Sequence, residues 1–237
     1  MVDFHTHILP GIDDGSQSVS ESLTLLEMLR RQGIRSVVAT PHFYADSTNP
    51  RRFLEERRCA WQQLQAHLRP ELPEVYLGAE VQYFEGIGKT EEIGLLKIEG
   101  SDLLLLEMPL QRWTHRMIDD VLALSGQPDL QVVLAHVERY LSGQPGEIWQ
   151  SLYRNGVLMQ SNVSFFVDWK TRCKAMTMLK KGRIHLLGSD CHNETDRPPN
   201  WDRLPRKAVR LVKDSDSYLS LYKQEENRIF DVNMQEG

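Results

Sequence analysis

Short apolar runs alternate with longer amphipathic stretches along this chain, and this alternation predicts strands that are each followed by a helix. The predicted strands are Val2–His5, Ser36–Thr40, Glu74–Val81, Leu103–Met108, Gln131–His136, Val157–Gln160 and Ile184–Ser189. The predicted helices are Ser18–Gln32, Arg51–Leu68, Met117–Ser125, Glu147–Arg154 and Lys174–Lys180, with a further short helix over Lys89–Lys97. Such an order of elements is typical of an α/β fold with a parallel sheet.

The placement of polar residues favours a closed barrel over an open sheet. Acidic and imidazole side chains stand at or just after the ends of six predicted strands. A (β/α) barrel gathers functional groups from many strand ends at one face, whereas an open sheet gathers them at one switch point. No Gly- or Pro-rich linker divides the chain. We therefore predict a single domain over residues 1–237, with a barrel of parallel strands at its centre.

Composition excludes several classes of protein. The net charge of −5 gives no reason to expect binding to nucleic acid or to a membrane surface. No apolar run approaches the ~20 residues that span a bilayer, and the first residues do not resemble a secretory signal. The three cysteines, Cys59, Cys173 and Cys191, match no disulfide scaffold or zinc motif, so we expect a reducing, cytoplasmic location.

The polar residues at the strand ends have the chemistry of a metal site. Two residues at i and i+2 of a strand point to the same face, as His5 with His7 and Asp190 with His192 would. Glu107 stands after four leucines, where an unpartnered carboxylate would cost several kcal/mol. The candidate ligands are His5, His7, His42, Glu80, Glu107, His136, Asp190 and His192, with an aspartate of the Asp13-Asp14 turn.

This mixture of imidazole and carboxylate without thiolate suits Mn²⁺, Fe²⁺ or Zn²⁺. Eight or nine ligands are too many for one ion, so two or three ions are expected. Clustered ions of this kind activate water for phosphoryl displacement, and Arg139 and Arg197 are candidates to hold the phosphate in a fork. Taken singly, each residue also has an ordinary interpretation, such as a strand-end histidine, a buried Arg–Glu pair or a surface arginine.

The motifs resemble those of the polymerase and histidinol phosphatase (PHP) superfamily. They are His5-Thr6-His7, Pro41-His42, Gly78-Ala79-Glu80, Leu106-Glu107-Met108-Pro109, Ala135-His136-Val137-Glu138-Arg139-Tyr140 and Gly188-Ser189-Asp190-Cys191-His192-Asn193. Within that superfamily, the loop Leu9–Gly15 and the His-x-Glu-Arg-Tyr segment are similar to the bacterial manganese-dependent tyrosine phosphatases of capsule and exopolysaccharide loci. The resemblance runs from residue 1 to about residue 200, and Met108 stands where Phe or Leu is expected.

The resemblance implies a distorted (β/α)₇ TIM-like barrel that holds three divalent ions, with Mn²⁺ favoured and Fe or Zn as alternatives. His5, His7, Glu80 and Asp190 would hold one ion; Glu80, Glu107 and His136 the second; Asp14 (or Asp13), His42 and His192 the third. Arg139 and Arg197 would bind the phosphate. The implied substrate is phosphotyrosine on a bacterial tyrosine kinase of polysaccharide biosynthesis, attacked by metal-activated hydroxide.

Several rival hypotheses stay open at this point. A small-molecule phosphatase, such as one for histidinol phosphate, or a phosphoesterase would use the same ligands, and a non-catalytic scaffold would keep the metal for structure. Cys191 to Arg197 fits the Cys-x₅-Arg pattern of thiol-dependent tyrosine phosphatases, but Glu194 and Asp196 in that loop would repel phosphate. The helix Ser18–Gln32 is a candidate surface for self-association into a homo-oligomer.

Overall fold

The computed structural model describes residues 1–212, in which parallel strands and helices alternate. The strands are β1 (Val2–Thr6), β2 (Ser36–Ala39), β3 (His42–Phe43), β4 (Glu74–Leu77), β5 (Glu80–Gln82), β6 (Leu103–Glu107), β7 (Gln131–Leu134), β8 (Leu158–Asn162) and β9 (Leu186–Gly188). The helices are α1 (Val19–Arg31), α2 (Pro50–Gln65), α3 (His115–Ser125), α4 (Gly146–Arg154), α5 (Ser164–Val167), α6 (Arg172–Lys180) and α7 (Arg206–Val212). Residues 213–237 of the predicted domain lie outside the described residues.

The sheet curls until its first and last strands meet. The strands form two runs, β1-β2-β4 and β3-β5-β6-β7-β8-β9. Within each run, neighbouring strands are parallel and hydrogen-bonded to each other. The two runs are continuous, because β2 leads into β3 and β4 into β5 after breaks of two residues. Beyond β9, the amide of Asp190 donates to the His5 carbonyl at 2.8 Å, and that of His7 donates to the Cys191 carbonyl at 2.9 Å. The predicted distorted barrel of seven parallel strands is thereby confirmed.

The two strand breaks have local causes. Proline at position 41 has no N–H for the ladder and separates β2 from β3. Gly78 lies between β4 and β5, where an added Cβ would lie 3.1 Å from Ile98 and 3.3 Å from Val38. The amide of Glu80 still donates to the Pro41 carbonyl at 3.0 Å, so pairing resumes at the register that places Glu80 opposite His42.

Alternating side chains of the strands form an inner and an outer core. Leu103 and Leu105 of β6 belong to a buried cluster with Phe4 and Val133. Leu104 and Leu106 belong to a different cluster that includes helix residues such as Val121. The run of four leucines is therefore apolar on both faces because one face fills the barrel and the other packs against the helices.

The helices begin and end at residues suited to those positions. The Ser18 hydroxyl accepts the Glu21 amide at the start of α1, and Gly33, with φ of 86°, follows its end. The stretch predicted as one short helix over 89–97 forms two 3₁₀ helices, Ile87–Lys89 and Glu91–Leu96. The sequence pattern did not predict α5 or α7. In residues 1–212 we find no helix both long and apolar enough to cross a bilayer.

Candidate metal centre

The predicted ligands converge at the carboxyl end of the barrel, although they come from nearly the whole length of the chain. His5 and His7 are carried by β1 and the residue after it, His42 by β3, Glu80 by β5, Glu107 by β6, His136 by the turn after β7, and Asp190 and His192 by the segment after β9. Most of these side chains are buried. Parallel strands bring their carboxyl ends to one face, so neighbouring elements supply neighbouring ligands.

Glu80 lies at the centre of this cluster. Its Oε2 atom is 3.1 Å from His5 Nε2, 3.3 Å from His7 Nε2 and 3.2 Å from His42 Nδ1. Its other oxygen, Oε1, is 2.8 Å from His136 Nε2. The two carboxylate oxygens therefore face different groups of imidazoles, as a carboxylate that bridges two ions would.

Two further groups of potential ligands flank Glu80. Asp190 Oδ1 lies 3.7 Å from His5 Nε2 and 3.6 Å from His7 Nε2. On the other side, Asp14 Oδ1 lies 3.4 Å from the Nε2 atoms of both His42 and His192. Glu107 lies beside His136, with its Oε1 atom 3.4 Å from His136 Nε2.

The donor set fits divalent transition ions, and two ring nitrogens that form no hydrogen bond support this. Within residues 1–212, His42 Nδ1 and His192 Nε2 are buried and lie 3.2 and 3.4 Å from carboxylate oxygens of Glu80 and Asp14, yet neither forms a hydrogen bond. A buried polar atom that forms no hydrogen bond has an uncompensated cost of desolvation, and coordination to a metal ion would compensate for it. Three sets of potential ligand atoms lie within 4.8 Å of one another: His7, Asp14, His42 and His192; His5, His7 and Asp190; and His42, Glu80 and Glu107.

Backbone strain is concentrated at the same place. Three non-glycine residues between positions 1 and 212 have positive φ, and two of them are His136, at 29°, and Asp190, at 55°. Such conformations are costly and persist where the surrounding structure enforces them, most often at functional sites. Both residues belong to the cluster, so the strained backbone lies at the proposed ligands.

The carboxylates of the cluster raise the pKa of two of its histidines. Burial lowers the pKa of His7, but its contacts with Asp13 and Glu80 outweigh burial and raise that pKa to about 10. Burial likewise lowers the pKa of His136, and contacts with Glu107 and Glu80 raise it to about 9. Buried carboxylates therefore hold protons on imidazoles that metal ions could replace.

Arg139 and Arg197 border the cluster from two different segments. Arg139 ends the 3₁₀ helix Val137–Arg139, and its Nη2 donates to Asp190 Oδ2 at 2.6 Å. Arg197 follows a loop after β9, and its Nη2 donates to Asp190 Oδ1 at 2.8 Å. A guanidinium has five N–H donors, so each arginine keeps donors for the oxygens of a phosphate.

Asp13 and Asp14 have different roles in the geometry. The Asp13 carboxylate accepts the His7 Nδ1–H at 2.7 Å and the amides of Gly15, at 2.9 Å, and His42, at 3.0 Å. It thereby turns Nε2 of His7 toward the cluster, as outer carboxylates do for metal-binding histidines. Asp14 is the aspartate that faces the rings of His42 and His192.

Sequence reasoning missed the polar end of β8. This strand continues two residues past its predicted end, through Ser161 to Asn162. Gln160 Oε1 accepts the His136 amide at 2.6 Å and lies 3.3 Å from His5 Nδ1, while Asn162 Nδ2 donates to Asp190 Oδ2 at 2.8 Å. The sequence signal that could have revealed these residues is the polar triplet Gln160-Ser161-Asn162, which directly follows the apolar start of the strand.

Cys191 points away from the cluster. Its side chain is fully buried in an apolar core with Leu9 and Leu187, and burial raises the pKa of its thiol. The loop from Cys191 to Arg197 is shaped instead by Asn193, whose Oδ1 accepts the amides of Asp196 and Arg197 at 2.7 and 3.1 Å. A thiolate nucleophile is therefore not available in this geometry.

Comparison with known proteins identifies the family of this chain. Residues 1–228 match the family described as capsular polysaccharide synthesis, CpsB/CapC. The chain belongs to the CpsB/CapC family. The resemblance seen in the motifs is thereby confirmed.

Curated relatives of this CpsB/CapC chain are named as tyrosine-protein phosphatases. CpsB from Streptococcus pneumoniae is 29% identical over 213 residues, covering 84% of this chain and 86% of that protein. A putative tyrosine-protein phosphatase, CapC from Staphylococcus aureus, is 27% identical and covers 92% and 88% of the two chains. YwqE from Bacillus subtilis is 26% identical and covers 83% and 79%.

A solved structure shares the fold of this CpsB/CapC chain. It comes from crystal structures of YwqE from Bacillus subtilis and CpsB from Streptococcus pneumoniae, described as unique metal-dependent tyrosine phosphatases. It matches with a TM-score of 0.76 at 20% identity, covering 93% of this chain and 94% of the other. At that identity the match establishes the fold.

Proposed function

We propose that this protein is a metal-dependent protein-tyrosine phosphatase of bacterial polysaccharide biosynthesis. The observation that carries the proposal is the convergence of nine histidine, aspartate and glutamate side chains beside two arginines at one end of the barrel. The names of its curated relatives point to the same activity. Among the described residues, the thiol of the Cys-x₅-Arg pattern, that of Cys191, is buried away from the cluster, which favours the metal-dependent type of phosphatase over the thiol-dependent type.

The proposed ligands are those that the sequence predicted, and three Mn²⁺ ions fit their number best. The metal ligands would be His5, His7, Asp14, His42, Glu80, Glu107, His136, Asp190 and His192. When bound, such ions act as Lewis acids and lower the pKa of a coordinated water. Asp13 and Gln160 would hold the imidazoles of His7 and His5 in the tautomer that directs Nε2 to the cluster.

Arg139 and Arg197 would bind and orient the phosphate. Both are 37–40% exposed, and both are held beside the cluster by Asp190. Their remaining N–H groups would donate to phosphate oxygens and would stabilise the negative charge that is distributed over them during displacement. The tyrosine leaving group has an ordinary pKa near ~10, so it needs little help from a general acid.

The proposed substrate is a phosphorylated bacterial tyrosine kinase in the cytoplasm. Its support is the capsule-synthesis family and the relatives' names, together with the resemblance of the motifs. Association of the chain with itself stays a prediction.

Phosphate release from a phosphotyrosyl peptide, measured after chelation and again after adding Mn²⁺, tests the proposal. We expect activity to disappear with chelation and to return with Mn²⁺. Histidinol phosphate and a phosphodiester are assayed alongside. Turnover of either of these at rates well above the peptide would favour the small-molecule phosphatase or phosphoesterase. Absence of metal-dependent release from all three substrates would favour a structural role for the metal.

Replacement of the buried thiol tests the thiol-dependent mechanism separately. We expect Cys191→Ala to keep most of kcat/KM and an unchanged metal content, at a stability cost of about 1 kcal/mol for the small cavity. Arg139→Ala is the comparison variant and should lose most activity, by roughly 100-fold or more. Loss of turnover in Cys191→Ala at full metal content would contradict the metal-dependent assignment.

A further inference from the structure

A cavity of about 330 Å³ lies beside the proposed metal site, with the proposed ligand Asp190 in its lining. Arg139, Asp190 and Arg197 line one part of it, which places the proposed phosphate site inside the cavity. Asn200 and Arg203 line it as well, and neither has a place in the catalytic proposal. The cavity therefore offers more polar groups than the binding of a phosphate alone requires.

Arg203 carries a charge that the described residues do not neutralise. Its side chain is exposed, and within residues 1–212 its guanidinium forms no ion pair or hydrogen bond. The other charged residues that line the cavity are Arg139, Arg197, Asp190 and Asp196. Three arginines against two aspartates leave the cavity with an excess of positive charge. An anionic group of a ligand would be attracted to it.

The backbone that carries Arg203 is tied firmly to the strands of the metal cluster. Arg203 ends the 3₁₀ helix Trp201–Arg203, in which the Trp201 side chain is buried. The Trp201 indole N–H donates to Asp3 Oδ2 at 2.7 Å, and Asp3 Oδ1 accepts the Ser189 amide at 2.8 Å. Asp3 thus links this helix to β1 and to the end of β9, so Arg203 starts from a fixed position relative to the phosphate site.

Asn200 supplies a second and independent observation. Its Oδ1 atom is buried and has no hydrogen-bond partner among the described residues. A buried carbonyl oxygen without a donor is uncommon, because its desolvation is not compensated. A donor brought by a ligand would satisfy it, and a peptide backbone offers such an N–H group.

We infer that this cavity is a peptide subsite, in which Asn200 accepts a backbone N–H of the substrate and Arg203 pairs with an acidic residue next to the phosphotyrosine. The inference rests on the proposed function and adds the class of substrate sequence that the site prefers. It favours a protein substrate over a small phosphate ester, because a small ester has neither the backbone amide nor the flanking carboxylate.

The test compares three phosphotyrosyl peptides that differ only in the residues on both sides of the phosphotyrosine, which are Glu, Gln or Lys. Exposed ion pairs contribute modestly, so we expect kcat/KM to be about three- to tenfold higher for the Glu peptide than for the Lys peptide, mainly through KM. Arg203→Glu should reverse this order. Arg206→Glu is the matched control: Arg206 is also exposed, does not line the cavity, and should leave the order as it is.

Asn200→Ala tests the other half of the subsite. We expect it to raise KM for all three peptides by a similar factor, roughly three- to tenfold, since a backbone contact does not depend on the flanking residue. An unchanged KM in this variant would contradict the role of Asn200. An unchanged order of the peptides in Arg203→Glu, or an equal loss with p-nitrophenyl phosphate, would contradict the role of Arg203.

Binding of the same peptides with a phosphonate analogue of phosphotyrosine, measured by calorimetry, separates this inference from the proposed function. Charge discrimination that depends on Arg203 in binding, without any phosphate release from the phosphorylated peptides, would support the subsite and contradict the phosphatase. Phosphate release without discrimination would contradict the subsite alone. Absence of both binding and release would contradict both.

Discussion

At the scale of single residues, the cluster depends on which nitrogen or oxygen each side chain presents. Asp13 accepts from His7 Nδ1, and Gln160 Oε1 lies beside His5 Nδ1, so both histidines direct Nε2 toward Glu80. These contacts lie one step outside the proposed ligands. Residues in such positions commonly change metal affinity by 10–100-fold when they are removed.

The two neighbouring aspartates should therefore respond differently to substitution. We expect Asp14→Asn to lower the number of bound Mn²⁺ ions by one, because its Oδ1 faces His42 and His192. Asp13→Asn should keep the number of ions and weaken their affinity by roughly 10–100-fold. Metal content and calorimetric titration measure both quantities. Loss of an ion in Asp13→Asn, with none lost in Asp14→Asn, would reverse the two roles.

His185 is predicted to make the free energy of unfolding depend on pH. Burial lowers its pKa, and its Nδ1 accepts the Met159 amide at 3.0 Å, so the folded protein favours the neutral ring. The unfolded chain then takes up a proton at a higher pH than the native state, which makes stability fall as pH drops through ~6.5.

The measurement compares urea unfolding of the wild type and His185→Asn between pH 7.5 and 5.5. Asparagine can still accept from Met159 but does not titrate, so the variant should lose less stability at low pH. The proposed metal site is common to both proteins, and the difference between them isolates His185. Parallel pH dependences in the two proteins would contradict the prediction.

At the scale of elements, the close approach of β9 to β1 brings the first and the last strand together. Gly188 ends β9, and an added Cβ there would lie 2.5 Å from His5 Cβ and 2.9 Å from Gln160 Nε2. Only glycine allows the strands to approach this closely. The same approach brings His5 within 3.7 Å of Asp190.

Gly188→Ala is expected to weaken metal binding through the backbone. The added methyl group must displace His5 or Gln160, so we expect a stability loss of about 1–3 kcal/mol and at least a tenfold weaker affinity for Mn²⁺. Gly146→Ala in α4 is the matched control, because an added Cβ there meets nothing within 4 Å. Thermal unfolding and Mn²⁺ titration read out both effects. Equal behaviour of the two variants would show that the contact is unimportant.

At the scale of the whole molecule, the barrel separates an apolar interior from a charged end. Phe4, Leu103 and Val133 fill the inner core, while Glu80 and five imidazoles occupy the carboxyl end. Without ions, the carboxylates of that end are compensated by imidazolium and guanidinium groups. Ligands that bind only the native state raise its stability.

Removal of metal should therefore lower Tm. An ion present at 100 times its Kd stabilises the native state by about 2.7 kcal/mol, which for a chain of this size corresponds to roughly 5–10 °C. We expect such a decrease on chelation, reversed by Mn²⁺, in differential scanning fluorimetry. The Tm of the Glu80→Gln variant should change much less on chelation, because Glu80 contacts each group of potential ligands in the cluster. An identical Tm with and without chelator would contradict the metal site.

Much of the fold followed from local patterns. The apolar runs at β6 and β7 and the serine at the start of α1 mark elements that short-range forces favour. The breaks at Pro41 and Gly78 were not predicted, although each has a local cause. The extension of β8 to Asn162 was not predicted because the end of this strand pairs with β9, which lies farther along the chain. The helices α5 and α7 were not predicted because they are too short to show a clear periodicity.

By itself, the sequence determined the order of the longer strands and helices, the set of proposed ligands and the likeness to metal-dependent phosphatases, since these depend on residue type and local spacing. Only the tertiary structure decided that Asp14 faces the rings of His42 and His192, whereas Asp13 binds His7. It also decided that Gln160 and Asn162 contact residues of the cluster. Finally, it placed Asn200 and Arg203 in one cavity with Arg139. The reason is physical: a side chain's neighbours are set by the closure of the barrel, which joins segments nearly two hundred residues apart.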